Sequence, residues 1–142
     1  MKVLKVVFLT TFLITLTTAK VEAADEAQRL ISSLCDYAKG DNRSSMRKKL
    51  KQAHLKLRRI YGGVKCGPKE GFSGGSLLRI STYFGAFASA KYITQLIGGK
   101  AVGKPEKDGQ TILQWTQALA ASDPSKAEQL KPFIELYQSK AE

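Results

Sequence analysis

The chain has 142 residues, with 23 Lys and Arg against 12 Asp and Glu for a formal net charge of +11, two cysteines and a single histidine. That length holds one domain with a modest core. One histidine, His54, builds neither a triad nor a two-histidine metal site. The cysteines form no CxxC and the carboxylates occur singly, so nucleophilic, metal-assisted and paired-carboxylate chemistry have no signature, and a non-enzymatic protein without cofactor or metal is expected.

The amino terminus, MKVLK, sets two lysines ahead of an apolar run over Val6–Leu16, too short to cross roughly 30 Å of hydrocarbon. It reads as a secretory signal peptide over residues 1–23, with Val21 and Ala23 at the spacing a signal peptidase reads and Ala19 as a second position. Cleavage after Ala23 removes Lys2, Lys5, Lys20 and Glu22, lowers the net charge from +11 to +9, and leaves residues 24–142 as one periplasmic or secreted domain. In an exported protein the even pair Cys35 and Cys66 is expected to close one disulfide.

Ala27, Leu30, Ile31, Leu34 and Ala38 fall at helical spacing and predict a helix from Asp25 to Ala38 that stops at Lys39-Gly40. Gly40, Asp41 and Asn42 make a turn, and Asn42 or Ser44 can cap the next helix. Met46, Leu50, Ala53, Leu57 and Ile60 then predict one helix over 45–61 whose remaining sides are basic. Between Arg43 and Lys69 stand ten Lys and Arg and no Asp or Glu, so almost the whole charge excess is local. Arg47, Lys48, Lys51, Arg58 and Arg59 are the candidate contacts for an anionic partner: phospholipid, lipopolysaccharide, an anionic glycan or an acidic envelope protein. The competing reading is a solvated helix face. Nucleic acid is disfavoured, because no aromatic stacking pattern is interleaved with the lysines.

Gly62-Gly63 stops the basic helix, and the loop through Val64, Cys66, Gly67, Pro68 and Gly71 ties back to the first helix through Cys66. Gly74–Gly98 carries two amphipathic patterns, one with Leu77, Leu78 and the Ser81 region inward and one with Phe87, Ala90, Ile93 and Ile97 inward, separated by Gly85. Gly98–Asp108 is a loop by composition. Its Gly98, Gly103 and Lys104 fit G-x-x-x-x-G-K, but Pro105 stands where a magnesium-binding hydroxyl is needed and a helix rather than a strand precedes it, so a nucleotide site is rejected. Ile112–Ala120 predicts a helix with Leu113, Trp115, Thr116 and Leu119 inward. Ser122-Asp123-Pro124 starts the last one, with Leu130, Phe133, Ile134 and Tyr137 inward and Pro132 predicting a kink or two short helices.

The opening pattern at Gly74, Ser76, Leu77, Leu78 and Ile80 returns 35 residues later at Gly109, Thr111, Ile112, Leu113 and Trp115. With Gly85, Ala90, Lys91, Ile93 and Ile97, the central unit resembles an ankyrin repeat, although Leu77, Arg79 and Ser81-Thr82 replace that pattern's proline, histidine and alanine pair. A third, degenerate unit spans Ile31 to Leu57. The resemblance implies an all-α stack of short helix-turn-helix repeats, with 24–73 as a disulfide-tied basic half and 74–142 as helix pairs; the alternative is an irregular small helical bundle. The amino-terminal half, with Cys35, a basic helix and Cys66, also resembles small exported bacterial proteins of unknown function, which implies a periplasmic setting and no activity. A protein-interaction module of the periplasm with an envelope partner is the leading functional expectation. The alternative is a cationic binder of anionic lipid, lipopolysaccharide or glycan through the basic helix 45–61.

Overall fold

The computed structural model describes residues 18–141; the apolar run Val6–Leu16 lies outside them. Among the described residues the chain is all-α. Its helices are α1 (Thr18–Lys39), α2 (Arg43–Gln52), α3 (Leu57–Ile60), α4 (Leu77–Tyr83), α5 (Phe87–Ile97), α6 (Gly99–Val102), α7 (Ile112–Ser122) and α8 (Ala127–Ala141). None of these helices is long and apolar enough to cross a membrane. They form three pairs, α1 with α2, α4 with α5 and α7 with α8. Helix α4 packs against both α1 and α7, and α5 against both α2 and α8, so first helices make one row and second helices another.

The sequence repeat is a repeat of cap geometry. Gly74 and Gly109 both take positive φ, +97° and +81°, a region that costs glycine least. Two residues later Ser76 (φ −70°, ψ 167°) and Thr111 (φ −70°, ψ 162°) stand extended, and their hydroxyl oxygens accept from the amides of Arg79 and Gln114. The Gln114 side chain accepts in turn from the Thr111 amide, which closes a capping box.

The first two pairs also turn alike. At the end of α1 the Asn42 amide donates to Tyr37 O at 2.8 Å, and at the end of α4 the Ala86 amide donates to Ser81 O at 2.8 Å. These six-residue closures need one residue in the left-handed region, supplied by Asp41 (φ +54°) and Gly85 (φ +70°). The turn residue of the first pair is therefore Asp41, not the neighbouring glycine. Its carboxylate accepts from the Ser89 amide at 2.7 Å, which caps α5 from outside and fastens the first pair to the second.

Leu34, Met46, Leu77, Ile80, Ile93, Ile97, Phe133 and Tyr137 lie at the centre of one core. Helix α4 is buried at six consecutive positions, Leu77 to Thr82. Its polar members are satisfied locally: Ser81 Oγ donates to Leu77 O, while Thr82 Oγ1 donates to Leu78 O and shares a 2.7 Å hydrogen bond with Tyr137 Oη.

Two sequence expectations are corrected and two are refined. The single basic helix over 45–61 is two, because His54 sits at φ +53° and the Leu55 amide closes on Leu50 O at 3.0 Å, ending α2 in the same six-residue motif. The loop Gly98–Asp108 contains a helical turn, α6, because burial of Val102 gives it an anchor. In α7 Thr116 is buried and Leu113 and Trp115 pack half-buried against the core, as the expected inward stripe requires, and Ile112 is buried with them. Pro132 does not divide α8 into two short helices; it lies on an exposed face beside exposed Glu128, whose freed carbonyl can take water.

Candidate functional site

The five sequence-predicted contacts, Arg47, Lys48, Lys51, Arg58 and Arg59, are all exposed. The first three lie on α2 and the other two on α3, so the break at His54 removes the common face that one helix would have given them. Exposed His54 is the residue that makes this break. Of the ten cations between Arg43 and Lys69, only Lys69 has a carboxylate partner among the described residues. The rest is charge without local compensation, and such charge creates a field that reaches a partner.

The loop after α3 is held from three sides. Cys35 and Cys66 form the expected disulfide between it and α1. Lys39 of α1 pairs with Glu70 at 2.8 Å, and Asp36 of α1 pairs with Lys69. Reciprocal hydrogen bonds between Cys66 and Gly75 and between Lys69 and Phe72 fold the loop into a short hairpin, with Glu70 and Gly71 at positive φ as a tight hairpin turn requires. Phe72 fills its underside against Tyr83 and Phe84.

A buried ionic cluster beside α4 went unseen in the sequence. Arg79 of α4 is 7 % exposed. Its Nη1 and Nη2 donate to Asp108 Oδ2 and Oδ1 at 2.7 and 2.8 Å, a bidentate fork. Nε stands 2.8 Å from Glu106 Oε2 without hydrogen-bond alignment, and the guanidinium lies 5.2 Å from the Trp115 ring centroid. Ser76 Oγ donates to Glu106 Oε1 at 2.6 Å, so the residue that caps α4 also holds the loop before α7. Burial pulls the Arg79 pKa down, but the Asp108 hydrogen bonds and the Glu106 charge outweigh it and raise the value above the ordinary one. Those same hydrogen bonds from Arg79, with one from the Gln110 amide, hold Asp108 down to about 2. The cluster is structural: every carboxylate in it is already engaged. Its one sequence signal was an arginine inside the otherwise small and apolar run from Leu77 to Thr82.

Next to this cluster a cavity of about 430 Å³ opens between α3, the Tyr61–Lys65 loop and the segment after α6. Arg58, Lys65, Lys104 and Lys107 stand around it, Tyr61, Leu78, Val102 and Ile112 give it apolar walls, and Glu106 is its single carboxylate. Tyr61 Oη is buried without an aligned hydrogen-bond partner, and burial pushes its pKa up although Ser76 and the Leu78 backbone lie near. The structure thus divides the predicted cations, with Arg58 facing this cavity and Arg47, Lys48 and Lys51 on α2. It also brings to the cavity Lys65 of the same basic segment, and Lys104 and Lys107, which are distant in sequence.

A sequence model of the family described as protein of unknown function (DUF3718) matches residues 34–106. No curated protein and no solved structure matches the chain. The matched span begins at the first fully buried residue of α1, includes both cysteines, the cations of α2 and three of the four around the cavity, and ends at Glu106, one residue before Lys107. Since that is just over half of its length, the chain belongs to the DUF3718 family.

Proposed function

We propose that the chain is an exported, non-enzymatic binding module whose partner is an anionic component of the cell envelope, met by the cations of the 43–69 segment. The observation that carries this reading is the set of nine cations in that segment with no carboxylate partner among the described residues. Charge packed this densely opposes folding by self-repulsion, and an anionic surface relieves it. The rows of paired helices support an ankyrin-like scaffold for that surface, and the disulfide together with the amino-terminal charge pattern supports export.

The test is vesicle binding across a salt series. Residues 24–142 should bind vesicles containing phosphatidylglycerol and not phosphatidylcholine alone, with affinity falling steeply as salt rises. Replacing Arg47, Lys48 and Lys51 by Gln should weaken binding on the order of 100-fold at low salt, at about 1 kcal/mol per cation near the surface. Equal affinity for neutral and anionic vesicles would overturn the lipid reading. Capture of an envelope protein that persists in the Arg47, Lys48, Lys51, Arg58, Arg59 variant would move the function to the helix-pair edges.

A further inference from the structure

We propose that the cavity beside α3 is a binding site for a phosphate monoester. This rests on the reading of the chain as a binder of anionic envelope components and names the chemistry that one part of it takes. Four cations from three separate stretches, Arg58, Lys65, Lys104 and Lys107, converge on one cavity. The only carboxylate that lines it among the described residues, Glu106, shares the single charge of buried Arg79 with Asp108, so that cluster offsets one of the four cations. Most of the charge at the mouth is therefore uncompensated. A carboxylate or a phosphodiester, each carrying one negative charge, leaves most of it so; a phosphate monoester carries about −1.5 to −2 at neutral pH and offers three oxygens to several donors at once.

Shape agrees with charge. The guanidinium of Arg58 lies beside Gly98, where a Cβ would stand 3.8 Å from Nη2, so the loop that starts the G-x-x-x-x-G-K pattern packs beside an arginine. That pattern is no nucleotide loop, because α6 fills its middle and Pro105 comes directly after it. It still delivers Lys104 to the rim. At about 430 Å³ the cavity falls in the range of small-ligand sites, above what inorganic phosphate needs, and the Tyr61, Val102 and Ile112 walls leave an apolar bed for the organic part.

Monoester and diester probes separate the sources. Calorimetric titration of residues 24–142 with glucose 6-phosphate, with glucose as control, tests a soluble ester. Vesicles containing phosphatidic acid, compared with phosphatidylglycerol at equal surface charge, test a lipid monoester. Either saturable binding of glucose 6-phosphate or preference for phosphatidic acid is expected. Two lost charge-assisted hydrogen bonds in Lys65→Gln/Lys104→Gln should cut that binding by at least ~10-fold. Lys104→Arg should retain it, and Lys91→Gln, at an exposed position of α5 outside the cavity lining, should leave the monoester preference intact. Lys104 is exposed and Lys65 half-buried, and unchanged thermal midpoints will show that the variants fold. No glucose 6-phosphate binding together with equal affinity for the two vesicle types overturns the site while sparing the broader cationic reading. Failure to bind either vesicle type, with no soluble ester bound, overturns both.

Discussion

Arg79→Met keeps the unbranched apolar stem of the side chain and removes the guanidinium with its charge and hydrogen bonds, so it reports what the buried cluster contributes. Removing one member of a buried ion pair generally costs about 3–5 kcal/mol, because the partner is left without compensation. Here the two partners differ: the Asp108 side chain is 45 % exposed and can rehydrate, whereas Glu106 is 14 % exposed and cannot do so freely. The lower end is therefore expected, about 3 kcal/mol. In urea unfolding with the disulfide intact this should appear as a fall in midpoint of about 1–2 M at unchanged slope. Glu106→Gln added to Arg79→Met should restore about 1 kcal/mol by removing the orphaned charge. Because the Gln110 amide donates to the Asp108 carboxylate that Arg79 fixes, its hydrogen exchange should accelerate in the single variant. A loss below about 1 kcal/mol, the range of ordinary surface substitutions, would refute the assignment of this cluster as the anchor of the loop before α7.

Three further outcomes are expected from the same geometry. Reducing the disulfide, or replacing both cysteines by Ser, opens a loop of sequence separation 31 and should lower stability by about 3.5 kcal/mol on the chain-entropy relation, read as the shift in urea midpoint. Gly99→Ala would place a Cβ 2.4 Å from the Lys140 carbonyl oxygen, a backbone atom that cannot swing aside, and should cost roughly 1–3 kcal/mol; Gly62→Ala meets nothing within 4 Å and is the control. Asp108 has a depressed folded-state pKa, so its contribution to stability is present above the unfolded value of 3.8 and disappears as pH falls through about 2. Asp108→Asn should flatten the pH dependence of stability within that interval, measured by chemical unfolding at each pH.

Features governed by neighbours in sequence were legible. The pairing of two cysteines, the glycine and hydroxyl that open α4 and α7, the Asn42 cap and the Gly85 turn all depend on residue types with strong local preferences. Two breaks in that logic were not. His54 takes the left-handed position at the end of α2, which nothing in its side chain announces; without a glycine there, the regular spacing of Met46, Leu50, Ala53, Leu57 and Ile60 predicts an unbroken helix. Pro132 left two outcomes open, a kink or a break, and α8 runs on through it because the cost falls on a solvent-facing carbonyl. The cavity was hidden for a different reason. Arg58, Lys65, Lys104 and Lys107 come together only when α6 folds back beside α3, and Arg79, which joins that region to α4, finds its carboxylates almost thirty residues downstream. Contacts of that range have no periodicity to read.

The six successive buried positions of α4 set the pattern of tolerance along the whole chain. A helix with a wet face forgives substitution every third or fourth residue, so the effect of mutation rises and falls along it. Helix α4 has no such relief: Leu77 and Leu78 fill the interior, Arg79 faces its carboxylates, Ile80 is enclosed, and Ser81 and Thr82 return their hydroxyls to the backbone. A saturation scan should therefore show a solid block of intolerance there, in contrast to the rhythmic stripes of α2 and α8. Within that block the permitted volume is fixed from both sides of the stack. Tolerated variation must accumulate elsewhere, in exposed positions such as those of α2, where side chains can change without disturbing the row behind them.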